Sequence, residues 1–283
     1  MQQLQLKRRF VNYLPNLFSD LLKIACVLVF IFPFYWMIIT SFKTYGEAIQ
    51  VPPTLWPKNF TLEAYHNIFS MSISFWQYAQ NSIIVTAGVI ILQCLIMIPA
   101  AYAFAKRQFV GKGIAWAVVI SALMIPGTCT YVPIYMVMAK AGLIPSLWPQ
   151  IIPHGCNVFG IFMLRQAFKQ VPDELLESAR LDSATEAQIV LRIMLPMAKA
   201  ALITICLFSF IGTWNSYFWP LVMTNNDKYR PLTMYIERVQ DADVGNKWNQ
   251  VMAANVLLVG PVLLIYLFAS QKIIRAFTYN GVK

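Results

Sequence analysis

The chain has 283 residues, of which 58% are hydrophobic and only 12% charged, and its formal net charge is +10. A soluble domain averages about 25% charged residues, so this composition excludes an ordinary globular protein and points to an integral membrane protein. The positive balance does not indicate a nucleic-acid binder, because the basic residues are not gathered with polar and aromatic neighbours on one soluble face.

Six apolar runs, about 20–42, 80–105, 114–134, 148–168, 197–220 and 251–270, reach or approach the roughly 20 residues a helix needs to cross a bilayer. The expected fold is all-α: a polytopic membrane protein with six transmembrane helices and a polar helical insert between the fourth and fifth. The first run follows Lys7, Arg8 and Arg9, but it is long and no small-x-small site follows it, so it is read as a span and not a signal peptide. Basic residues next to spans are retained in the cytoplasm. With the N-terminus inside, fourteen Lys and Arg fall in cytoplasmic segments and seven in outer ones, with Lys23 too close to the first span to assign. Both termini and the insert are therefore expected in the cytoplasm. The chain divides into 1–79 (tail, first helix and outer loop), a core of 80–270 that carries the cytoplasmic segment 169–197, and a tail of 271–283.

None of the 12 acids lies deep in a run, which argues against ion coupling, since a coupling ion must bind something there. Gly155 and Gly160 have the glycine spacing of a phosphate loop, but Ile161 and Phe162 stand where Lys and Ser or Thr are needed. Energy must come from another chain. No paired carboxylates, two-histidine motif or activated nucleophile lies in a span, so the chain is not expected to be an enzyme. Cys26, Cys94, Cys129, Cys156 and Cys206 lack CxxC spacing and read as small buried hydrophobes, and His66 and His154 as surface or satisfied polar groups. No metal site is expected.

Pro99, Pro126-Gly127, Pro149, Pro153 with Gly155 and Gly160, and Gly260-Pro261 interrupt four of the runs. Proline removes a donor and clashes with the preceding turn, and broken spans tend to line cavities or to move. Asn81, Gln93, Asn157, Thr213, Asn215 and Asn255 place uncharged polar groups in or beside the spans. They either tie helices together or face a solute. The densest cluster runs from Gly212 to Pro220 and includes Thr213, Trp214, Asn215 and Tyr217. Aromatic faces with amides and hydroxyls suit an uncharged polyhydroxylated molecule, while an interfacial aromatic belt accounts for the rings equally well.

In the insert, Pro172 suits a first helical turn and Asp173 and Glu174 complement a helix N-terminus. Leu175, Leu176 and Ala179 follow at helical spacing, and a turn is expected at 182–184. A second helix can be capped by Thr185 with Gln188 or by Ser183 with Glu186, with Val190, Ile193 and Met194 on its apolar face.

The insert resembles the signature of the membrane subunits of binding-protein-dependent ABC importers: Glu-Ala-Ala, three residues, Gly, nine residues, Ile-x-Leu-Pro. Glu177, Ala179, Ile193, Leu195 and Pro196 match, while Ser178 replaces Ala and Ser183 replaces Gly. Either the turn at Ser183 is right-handed or it accepts some strain. The surroundings Val171 to Leu175 and Arg180 to Asp182, with Trp214-Asn215, Trp219-Pro220-Leu221 and the ending Asn280 to Lys283, resemble the smaller permease of maltose-type importers. The resemblance implies a bacterial inner or plasma membrane permease for sugar or oligosaccharide uptake. It implies as partners a second homologous permease, two ATP-binding-cassette ATPase subunits that use ATP and Mg, and an extracytoplasmic solute-binding protein, with no cofactor on this chain and no nucleic acid. By resemblance, Glu177, Ser178, Ala179, Asp182 and Ser183 dock on the ATPase and Leu195 and Pro196 join the docking segment to the fifth span. Other cargo on the same architecture, or an ATP-independent secondary transporter or channel, are the alternatives.

Overall fold

A computed structural model describes residues 2–71, 74–240 and 247–278, with side chains from 19 to 268 within those ranges. The sequence features at Asp241, Asp243 and Asn280 to Lys283 lie outside the described residues. Among those described there are helices and no strand. Three helices are long and apolar enough to cross a membrane, Ser19–Ser41, Phe75–Lys106 and Trp248–Phe268, and two bent pairs raise the number to five at most.

The difference from six continuous spans lies where proline acts. Helix α1 (Gln2–Ser41), α2 (Phe75–Lys106) and α10 (Trp248–Thr278) are unbroken, and α2 and α10 continue through Pro99 and Pro261. The third run does break. Ile125, the residue before Pro126, is extended, so α3 (Lys112–Ser121) with its last turn and α4 (Tyr131–Lys140) with the short turn before it meet at 98°. In the fourth run, turns at 148–151 and 152–154 carry Pro149 and Pro153, and only α5 (Val158–Lys169) is regular helix. Its 12 residues reach about 18 Å, short of a bilayer core of about 30 Å.

Two compact units are present. The first holds the described residues within 1–72 and 239–257. There Lys43 is fully buried, its ammonium on the Thr54 carbonyl and 4.5 Å from the Trp36 ring centroid. Glu47 Oε1 accepts from the Thr54 hydroxyl and the Lys58 amide, both at 2.8 Å. Asn249 Nδ2 donates to the Lys43 carbonyl at 3.2 Å. The buried charges are thus held by backbone and side-chain partners, as burial requires.

The second holds the described residues within 73–238 and 258–283. Its core is α2 packed on α5 and on α8 (Lys199–Trp214), around Met97, Ala101, Leu164, Phe168 and Ile205. Close approach is possible because Gly160 has no side chain: a Cβ there would lie 2.5 Å from Met97 Sδ and 3.0 Å from Ile205 Cγ2. The cysteines are less buried than their apolar context implies. Cys26, Cys129 and Cys156 are exposed in this chain, and Cys94 and Cys206 are half-buried with their sulfurs 3.7 Å apart across α2 and α8.

Candidate coupling segment and cargo groove

The insert forms α6 (Asp173–Leu181) and α7 (Glu186–Ile189). Pro172 stands one position earlier than its sequence context implies, as the extended N-cap residue. The turn falls at 182–184. Ser183 adopts φ +61°, the one non-glycine residue with positive φ among those described. Its amide donates to Arg180 O at 3.0 Å and the Ala184 amide donates to Ala179 O at 2.9 Å, the hydrogen-bond pair of a Schellman ending. Ala179 and Ala184 both pack on the core, completing the apolar contact that accompanies this ending. The strained alternative at Ser183 is therefore the one realised. With Ser183 so used, Thr185 caps α7: its hydroxyl accepts from the Gln188 amide at 3.3 Å and Gln188 Oε1 accepts from the Thr185 amide at 2.8 Å.

Beyond α7 the chain makes a π-helical turn over Val190–Met194. The extra residue per turn brings Ile189 and Met194 onto one face, and both are fully buried, whereas Ile193 stays half-exposed. Leu195 and Pro196 lie in the short helix Leu195–Met197, which meets α8 at an 83° bend. Leu176, Ile189 and Met194 point into the core, while Leu175, Glu177, Ser178, Leu181, Asp182 and Ser183 are exposed and Ala179 is half-buried between the two faces. Leu181 is 86% exposed, a large apolar side chain that the described residues leave uncovered.

Sequence reasoning missed the clamp that holds this segment. Lys106, at the C-terminal end of α2, donates to Asp173 Oδ1 at 2.7 Å and to the Val171 carbonyl at 2.5 Å. Tyr102, one turn earlier, donates its hydroxyl to Glu186 Oε2. Arg107 pairs with Glu186 Oε1, and Arg180 Nε donates to the same oxygen at 3.2 Å. One helix end thus grips both α6 and the start of α7. The signal available in the sequence was only the basic pair Lys106-Arg107 and the acids of the insert, which a topology rule explains without contact.

The polar residues of the spans separate by role. Gln93 Oε1 accepts from Ser209 Oγ at 2.6 Å and from Asn157 Nδ2 at 3.3 Å, Gln93 Nε2 donates to His154 O at 2.8 Å, and Asn157 Oδ1 caps α5 by accepting from the Gly160 amide at 2.8 Å. This knot joins α2, α5 and α8 and forms the floor of an open groove of about 320 Å³. Thr213 and Gly212 continue the floor, and Phe159 and Phe208, both about half exposed, form its walls. Among the described residues, no charged side chain lines it. Asn81 lies elsewhere: its Nδ2 donates to Lys228 O at 2.8 Å and Arg230 O at 2.9 Å, pinning a connecting loop. Trp214 is buried, with its indole N–H on Leu258 O at 2.9 Å. Asn215 and Asn255 each donate to a carbonyl four residues back, and Tyr217 reaches Glu237 at 3.0 Å. The Gly212 to Pro220 cluster is therefore divided, because α8 ends at Trp214 and a new helix α9 (Phe218–Met223) starts beyond it.

The family described as binding-protein-dependent transport system inner membrane component matches residues 7–278. The chain belongs to that family. It is a transport permease of the inner membrane and not an enzyme. The permease is 30% identical over 271 residues to the diacetylchitobiose uptake system permease protein DasC of Streptomyces coelicolor, covering 95% of this chain and 96% of that one. It is 27% identical over 267 residues to the sn-glycerol-3-phosphate transport system permease protein UgpE of Brucella abortus, covering 92% and 95%. Its fold is that of a chain in the crystal structure of a bacterial ABC transporter that imports the acidic polysaccharide alginate, with a TM-score of 0.82, 22% identity and 90% and 95% coverage.

Proposed function

We propose that the permease pairs with a second homologous permease and that together they form the membrane path for a sugar or oligosaccharide, opened by alternating access. Two ATP-binding-cassette ATPase subunits, using ATP and Mg, supply the work, and this chain binds no cofactor itself. Their closure moves the 177–196 segments of the two permeases, with Glu177, Ser178, Ala179, Asp182 and Ser183 in the docking contact and Leu195 and Pro196 linking it to α8. An extracytoplasmic solute-binding protein delivers cargo to the outer side of the permease pair. On this reading the chain makes six membrane passages in a bacterial membrane, the third and fourth broken, with both termini cytoplasmic and the organisation 1–79, 80–270 and 271–283.

The observation that carries the docking reading is the two-faced insert: Leu176, Ile189 and Met194 are buried while Leu181, Glu177 and Asp182 are presented outward. A neutral cargo is favoured by the groove, whose amides, hydroxyls and two exposed rings match the edges and faces of a sugar. Relatives named for diacetylchitobiose and for glycerol 3-phosphate show that cargo varies within the family, and an anionic cargo would call for a cation that this groove lacks. Glu177→Lys should leave membrane insertion intact and uncouple sugar uptake from ATP hydrolysis; unchanged uptake rejects the docking role. Sugar transport by the purified chain alone in liposomes would establish the ATP-independent alternative.

A further inference from the structure

Beside the groove lies a second, more enclosed cavity of about 50 Å³. The two share His154, Gly212 and Thr213 in their walls. Two polar atoms of residues that line the second cavity have no hydrogen-bond partner among the described residues, Thr86 Oγ1 and Gln150 Oε1, while the His154 ring has the Gln150 backbone beside it. Thr86 is 4% exposed and Gln150 1%. The amide of Gln150 is committed at its other end, where Nε2 donates to Tyr229 O at 2.8 Å, which leaves Oε1 as a fixed acceptor. His154 stands edge-on to Trp219, with ring centroids 4.9 Å apart, so its ring cannot turn away freely. A hydroxyl supplied by α2 and an amide oxygen supplied by the 148–154 turns thus belong to the lining of one cavity and stand unpaired.

Buried polar atoms are nearly always paired, with protein or with ordered water. The cavity holds no charged side chain, so nothing in it would offset the charge of an ion. It is far smaller than the roughly 300 Å³ at which small-molecule pockets begin, yet larger than the 10–15 Å³ or so that a single water needs. We propose that it is a water site: roughly two or three ordered molecules bridge Thr86 and Gln150 and tie α2 to the broken fourth run. Bridging water can pair with either wall of the cavity, so small movements of Gly212 and Thr213, in the last turn of α8, need not strand these atoms. The proposal rests on the cavity alone and is independent of the cargo assigned to the groove.

The sign of a stability change tests it. In the assembled transporter in lipid nanodiscs, Thr86→Val removes a partner of bound water and is expected to lower the melting temperature by roughly 2–4 °C, while Thr86→Ser keeps the hydroxyl and loses less. If the cavity is dry, Val is an isostere that relieves an unsatisfied hydroxyl, and an unchanged or higher melting temperature overturns the proposal. A density map of the unsubstituted transporter that resolves ordered solvent provides the second measurement. Water within hydrogen-bond reach of Thr86 Oγ1 and Gln150 Oε1 is expected; an empty cavity or a lipid tail there overturns it.

Discussion

Tyr102 donates its hydroxyl hydrogen to Glu186, a residue 84 positions further along the chain. The contact joins the last turns of the apolar helix α2 to the first residue of α7, and Arg107 and Arg180 converge on the same carboxylate. On the proposed docking role, a push on the exposed face of the insert would reach α2 through this contact as well as α8, which follows the insert in the chain.

Tyr102→Phe removes this link while preserving the ring that packs in the core. A hydrogen bond to a charged group contributes about 1.5–3 kcal/mol, and the lower end applies here because Glu186 is 42% exposed at its side chain. In the reconstituted complex, cargo moved per ATP hydrolysed is expected to fall several-fold while ATP hydrolysis continues. A proportional loss of both activities would indicate a folding defect in place of a transmission defect.

Ser183 holds a left-handed backbone that costs an L-residue about 1–2 kcal/mol. Ser183→Gly should stabilise the α6–α7 turn by about 1 kcal/mol, and Ser183→Val should destabilise it further. Amide exchange at Ser183 and Ala184, whose N–H groups close the turn, reads this directly. Slower exchange in the glycine variant and faster exchange in the valine variant are expected.

Asn81 uses both of its amide hydrogens on the loop carbonyls of Lys228 and Arg230. Asn81→Ala should cost about 1–2 kcal/mol and increase proteolysis within 224–231. Apparent affinity for cargo should stay unchanged; a marked rise in the concentration needed for half-maximal uptake would place Asn81 in the cargo path after all.

The carboxyl of Asp227 is held below its ordinary value of 3.8, chiefly by the Arg238 guanidinium at 2.8 and 3.1 Å, with Arg230 adding to the effect against partial burial. A folded pKa below the unfolded one means that the ion pair stabilises the loop above the unfolded value and loses that contribution as pH falls through the folded value. Protection of residues 224–238 from protease should be flat from about pH 8 to about pH 5 and decline below about pH 4. In Asp227→Asn the protection should be lower at neutral pH and should lack this acid-dependent decline.

Membrane character and helical class follow from apolar content and run length, because a segment of about 20 apolar residues in lipid must satisfy its backbone within itself. The helix-turn-helix of the insert was legible for a similar reason: caps and turn residues are local, and α6, the turn and α7 formed where they pointed. Continuity of the spans was not legible. Pro99 and Pro261 sit inside unbroken helices while Pro126 and Pro153 mark breaks, since neighbouring packing determines whether a helix bends at a proline. The role of each polar span residue was equally undetermined: Gln93, Asn157 and Ser209 meet only when α2, α5 and α8 pack, and Trp214 turns away from Thr213 because adjacent helical residues face different directions. Tertiary structure alone decided the clamp at Glu186, which needs Tyr102, Arg107 and Arg180 brought together from distant positions by burial of Leu176, Ile189 and Met194.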